Sequence, residues 1–165
     1  MRIAAAQLKL WGVLLVLVVA HFALRPTLAD SRFAPDLVLV ALLLFAIRSR
    51  PGAGAAAGFV VGLLSDAVAP TAFGAGALAL TVIGYLAGWL KAVVFADNLL
   101  VNALFIFGAS WLRDLLEILA SGTLRRGAVG AQLLVWSPVA AATTAAAGLL
   151  ALIVFRRWLR VAPSR

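Results

Sequence analysis

Cysteine is absent from these 165 residues and histidine occurs once. Without cysteine there is no disulfide, no thiolate metal ligand and no thiol nucleophile, and the chain gives no redox clue to its compartment. A lone His21 cannot build a multi-histidine metal centre. Charge is scarce too, at 12% of residues against 65% hydrophobic, and acid is the scarcer sign, 6 residues against 14 basic ones. No nucleophile elbow, phosphate-binding glycine loop or metal-ligand cluster occurs. The charged groups that could serve chemistry are scattered across different apolar stretches, so the residues argue neither for an enzyme nor for a cofactor.

What the chain has in excess is apolar length. A mean hydropathy of +1.11 describes more apolar surface than a water-soluble core of this size can hide, so lipid is the main solvent. The net charge of +8 would point to nucleic acid in a soluble protein. Here Lys and Arg sit in twos and threes beside apolar runs, where they act as topology determinants facing anionic headgroups. Membrane lipid, not nucleic acid, is the partner that this charge implies.

Crossing a hydrocarbon core of about 30 Å takes about 20 helical residues. Six apolar stretches suit that role: Leu8 to Leu24, Pro35 to Ile47, Ala53 to Val68, Phe73 to Leu90, Asn98 to Leu119 and Leu133 to Phe155. The expected fold is all-α, a single integral-membrane domain over residues 1–165, built as a polytopic bundle of six transmembrane helices. No segment alternates polar and apolar residues as a membrane barrel strand would. The first stretch follows Arg2 and Lys9 like a secretory signal, but without a convincing small-residue cleavage site it reads as an uncleaved helix. The second stretch is short. Its 13 residues rise only about 20 Å, so it starts earlier, lets Arg48 and Arg50 snorkel, or is sheltered by neighbours.

Orientation follows from positive charge. With the N-terminus in the cytoplasm, nine basic residues fall inside (Arg2, Lys9, Arg48, Arg50, Lys91, Arg156, Arg157, Arg160, Arg165) and five outside (Arg25, Arg32, Arg113, Arg125, Arg126). Both termini are then cytoplasmic. Indole rings favour the headgroup boundary. Trp11, Trp89 and Trp158 mark inner ends, and Trp111 and Trp136 outer ends.

Gly54, Gly58 and Gly62 recur every four residues in the third stretch, a pattern that lets another helix approach the backbone. Asp66 extends the row, which places it inside the bundle or at its mouth, as an interhelix anchor or a functional contact. The fourth stretch carries its own seam of Gly74, Ala77, Thr81, Gly84 and Gly88, with Tyr85 one turn beyond Thr81. A short turn around Pro70 makes these two stretches antiparallel neighbours. Pro35 and Asp36 open the second stretch, with proline near the first helical position and the carboxylate at the positive end of the helix dipole; capping or a partner contact accounts for both. Asn98 and Asn102 lie one turn apart. Arg113 and Glu117 have i, i+4 spacing for an ion pair beside Asp114, and Pro138 either starts the last helix or kinks it. His21 reads as a packed or interfacial residue rather than a proton carrier.

In order, Pro35-Asp36, a short apolar run, two arginines, the Gly58 to Gly62 repeat, Leu63-Leu64-Ser65-Asp66, Gly74, an Ala-Leu stretch, Gly84-Tyr85 and a basic C-terminus resemble the rod shape-determining protein MreD family. The resemblance covers nearly the whole chain and is densest from Pro35 to Lys91. It implies a non-enzymatic component of the bacterial inner membrane, part of the cell-elongation machinery that supports lateral peptidoglycan synthesis. Implied partners are the bitopic protein MreC, the MreB filaments, the RodA glycosyltransferase and its penicillin-binding transpeptidase. The implied fold is similar to the substrate-binding subunits of energy-coupling-factor transporters. Pro35, Asp36, Gly58, Gly62, Asp66, Gly74 and Tyr85 carry over as motif positions with structural or contact roles. A small-molecule transporter or binding subunit, with Asp66 and Tyr85 near a cavity, is the alternative reading.

The charge count makes a direct prediction. In this cysteine-free chain, a thiol introduced at Ser164 is expected to be protected from impermeant reagents in intact cells, and one at Gly127 to react. The reverse pattern would refute the orientation.

Overall fold

In a computed structural model, residues 2–28, 34–68, 73–94, 99–120 and 132–159 are described, and among them the fold is helical throughout. The elements are α1 (Arg2–Leu28), α2 (Leu37–Ala46), α3 (Pro51–Val68), α4 (Ala75–Val94), α5 (Leu99–Ala120), a π-helical turn (Gln132–Trp136) and α6 (Ser137–Leu159). The segments carrying Arg32, Pro70, Asn98, Arg125, Arg126, Arg160 and Arg165 lie outside the described residues, as do the side chains of Arg2, Arg25, Lys91, Arg156, Arg157 and Trp158.

The short second stretch is the centre of the molecule. α2 has 10 residues, LVLVALLLFA, and all but Phe45 are buried. It packs against α1, α3, α4, α5 and α6. A helix that is apolar all round belongs inside a protein, and of the three ways to accommodate its length, shelter by neighbours is the one adopted. Rising only about 15 Å, α2 has no lipid-facing side to fill. The largest fully buried side chains include Leu39 and Val40 of α2, Leu80 and Ile83 of α4, and Val13 of α1.

The outer helices divide their faces. Leu15 and Val16 of α1, Phe59 and Leu64 of α3, Val82 of α4, Leu104 of α5 and Val154 of α6 are exposed, whereas α2 contributes no exposed large side chain. Apolar surface spread over five helices is what lipid covers and water does not. α3, α5 and the stretch Gln132–Phe155 are long and apolar enough to cross a membrane; the apolar cores of α1, α2 and α4 are shorter.

Helix ends differ from the sequence reading where local chemistry decides them. α3 begins at Pro51, two residues early, because proline suits the first helical turn, where its missing N–H costs nothing. Pro35 lies before the helix instead of inside it, and Asp36 is the N-cap, its side chain accepting from the Leu39 N–H at 2.9 Å. Pro138 is the second residue of α6, so it belongs to the start of that helix, just after the π-helical turn.

Because lipid is as apolar as leucine, the fit of the core holds this bundle more than transfer from water does. Leu39→Ala is expected to lower stability by about 2–5 kcal/mol through the cavity it leaves. Leu104→Ala, on a face 62% exposed, should change it by less than about 0.5 kcal/mol. Thermal denaturation in one detergent checks both.

Candidate functional site

Two features concentrate the polar and small residues: a glycine seam between α3 and α4, and a charged cluster where α1, α2, α5 and α6 meet.

The seam runs the length of the α3–α4 pair, which is antiparallel. A Cβ on Gly54 would stand 2.3 Å from the Gly84 carbonyl oxygen, one on Gly58 2.0 Å from that of Leu80, and one on Gly62 2.4 Å from the Ala77 Cα. A Cβ on Gly88 would meet Pro51 at 2.8 Å. Successive turns of one helix thus press on successive turns of the other, and each obstacle is backbone, which cannot swing aside. These glycines are required by contact, not conformation.

Asp66, near the C-terminal end of α3, closes one end of this seam. It is 9% exposed, and its Oδ2 accepts from the Gly74 N–H at 2.8 Å and the Ala77 N–H at 3.0 Å. Gly74 immediately precedes α4 and Ala77 lies in its first turn, where N–H groups have no partner inside the helix, and the carboxylate also faces the positive end of the dipole. Asp66 is therefore a cap supplied by a neighbouring helix. Gly74 makes room for it differently: its φ of +95° is open to glycine and strained for other residues. A Cβ on Gly76 would lie 2.2 Å from Asp66 Oδ1. Tyr85 points the other way and is 51% exposed, so Asp66 and Tyr85 do not share a cavity.

The charged cluster gathers residues far apart in the chain. Asp36 pairs with Arg113 of α5, and His21 Nδ1 of α1 lies 3.8 Å from Asp36 Oδ1. Arg113 also bonds Glu117 at 2.8 Å, the expected i, i+4 pair. The Asp36 N–H donates to the Thr144 hydroxyl of α6 at 3.1 Å, and Ser137 is fully buried beside Asp114. One carboxylate thus caps α2 and ties α1 and α5 to it, while its backbone reaches α6. At the other end of α2, Arg48 donates to the Leu44 carbonyl at 3.3 Å, a cation where the dipole is negative.

Sequence reasoning named Asp36 and Arg113 but not their pairing. The available signal was topological: alternate spans put His21, Asp36, Arg113 and Thr144 toward one end. A second small-residue face was also passed over. Ala141, Ala145, Gly148 and Ala151 of α6 are buried, and a Cβ on Gly148 would come 2.7 Å from Ile106 of α5 and 3.3 Å from Val40 of α2. A small crevice of about 30 Å³ lies between α2, α5 and α6, lined by apolar side chains and Asn102; that is room for about one water.

Residues 3–160 match the family model described as rod shape-determining protein MreD. The chain belongs to the MreD family. Membership places it in rod shape determination, within a family of shape-determining proteins. No curated protein and no solved structure matches the chain at a significant level.

In this MreD-family chain the seam predicts opposite effects for two glycines. Gly58→Ala is expected to lower stability by about 1–3 kcal/mol by overpacking. Gly108→Ala on α5, where a Cβ would meet nothing within 4 Å, should be neutral or stabilising by up to about 1 kcal/mol, from helix propensity. Melting points of the two purified variants decide it.

Proposed function

We propose that the protein is a non-enzymatic scaffold of the cell-elongation complex in the bacterial inner membrane, crossing it six times with both termini in the cytoplasm. In this reading it recruits or steadies an MreC-like bitopic partner through helix surfaces that include α3 and α4. It thereby supports lateral peptidoglycan synthesis by an assembly containing MreB, RodA and a penicillin-binding transpeptidase. The family match over residues 3–160 carries the reading. The architecture supports it: the small-residue seam makes α3 and α4 one rigid unit, and that unit offers the membrane an apolar face with Phe59, Val60, Leu64, Leu78 and Val82 exposed. A likeness to energy-coupling-factor substrate-binding subunits remains part of the proposal.

Depletion in a rod-shaped host is expected to round the cells, while the peptidoglycan enzymes keep their activity in vitro. The tagged protein should recover the bitopic partner from membranes, with mass spectrometry as the readout. Cells that stay rod-shaped but lose uptake of a small solute would replace scaffolding with transport.

A further inference from the structure

Toward the C-terminal end of α2 the packing of its neighbours opens. α5 and α6 meet closely where a Cβ on Gly148 would stand 2.7 Å from Ile106. One turn further along both helices, at Asn102 and Leu152, they border the crevice of about 30 Å³. Its floor is a face of α2, with Val40, Leu43 and Leu44 at most 4% exposed. Its rim of Asn102, Phe105 and Leu152 is only partly buried.

The crevice ends on positive charge. Val40, Leu44 and Arg48 follow one another at four-residue steps. Arg48 donates to the Leu44 carbonyl at 3.3 Å, which holds its guanidinium beside a residue of the crevice wall. Arg50, two residues on, is exposed. Asn102 brings to the rim an amide that donates two hydrogen bonds and accepts others, and among the described residues no carboxylate lines the crevice.

We propose that this corner of α2, α5 and α6 binds one anionic phospholipid, its phosphate on Arg48 and Arg50, its ester region at Asn102 and one acyl chain along the crevice. Charge complementarity selects the head, because a guanidinium matches phosphate oxygens in pairs. The crevice selects for a chain. So small a space admits no whole solute, whereas a linear hydrocarbon fills it with part of its length and restores contacts that the void forfeits. A chain gains little by leaving lipid for leucine, so discrimination among lipids lies in the head and the crevice fixes position. The site requires only that the bundle lies in a bilayer, and it stands or falls independently of the scaffold reading.

Native mass spectrometry of the full chain in mild detergent tests it, with dioleoyl phosphatidylglycerol and dioleoyl phosphatidylcholine as probes. The first phosphatidylglycerol is expected to bind about fivefold more tightly than phosphatidylcholine, and Arg48→Gln to remove that preference, as for one cation at a lipid headgroup. Lys9→Gln takes the same charge from α1, which does not line the crevice, and should change the first affinity less than about twofold. Glycerol phosphate, a head without chains, should not displace the lipid. Phosphatidylglycerol with a diazirine in its acyl chain should label the wild-type protein at residues 102–105 and 152, a readout that does not depend on how any variant folds. Equal binding of the two lipids, equal losses in Arg48→Gln and Lys9→Gln, displacement by glycerol phosphate, or labels confined to other helices overturns the site.

Discussion

Everything in this bundle depends on a ten-residue helix that is too short to face lipid. α2 is apolar all round and rises about half the thickness of a hydrocarbon core. Left against lipid, its end N–H and carbonyl groups would sit at depths where water cannot satisfy them. Enclosure solves the side-chain problem, and charge solves the ends: Asp36 accepts at the N-terminus and Arg48 donates at the C-terminus. Burial pushes the Arg48 guanidinium below its ordinary pKa, yet an arginine has so much margin that it remains a cation. Five helices wrap α2 because its ten positions point in every direction.

Once the centre is fixed, the wall has to close without help from the hydrophobic effect. Two leucines gain little by leaving lipid for each other, so helices associate where their backbones can approach and where polar groups find partners. α3 and α4 use both means. Glycines at one-turn intervals set the approach along the pair, and Asp66 locks its end by capping α4. Neither device suffices alone: glycines give closeness without register, since a slide of one turn would meet similar surfaces. The cap supplies the register, because Asp66 reaches the Gly74 and Ala77 N–H groups in a single alignment.

How much of this the sequence discloses depends on how far apart the interacting residues lie. The Gly54-Gly58-Gly62-Asp66 row is a periodicity within one helix, and its partner seam follows after a short turn, so the α3–α4 pairing was legible. The length of α2 was legible too, though its central position was not: a run of leucine and valine looks the same against lipid as against protein. The charged cluster was least accessible. Asp36 and Thr144 stand 108 positions apart, and in sequence Asp36 resembles an ordinary cap while Arg113 already has Glu117 one turn away. Satisfied local readings concealed a long-range one. Tyr85 faces outward, which sets aside only the alternative reading that placed it near a cavity with Asp66.

The two polar devices divide the molecule mechanically. Asp66 bonds to backbone N–H groups at the start of the neighbouring helix, so it ties α3 to α4 directly. Asp36 divides its oxygens between a backbone N–H of α2, the Arg113 guanidinium of α5 and the His21 imidazole of α1. Of these three partners only the imidazole belongs to α1. One residue therefore gathers α1, α2 and α5 at one end of the bundle, whereas Asp66 joins two helices. The α3–α4 pair is thus held by a device local to its own turn, and the helices around α2 by one that several of them share.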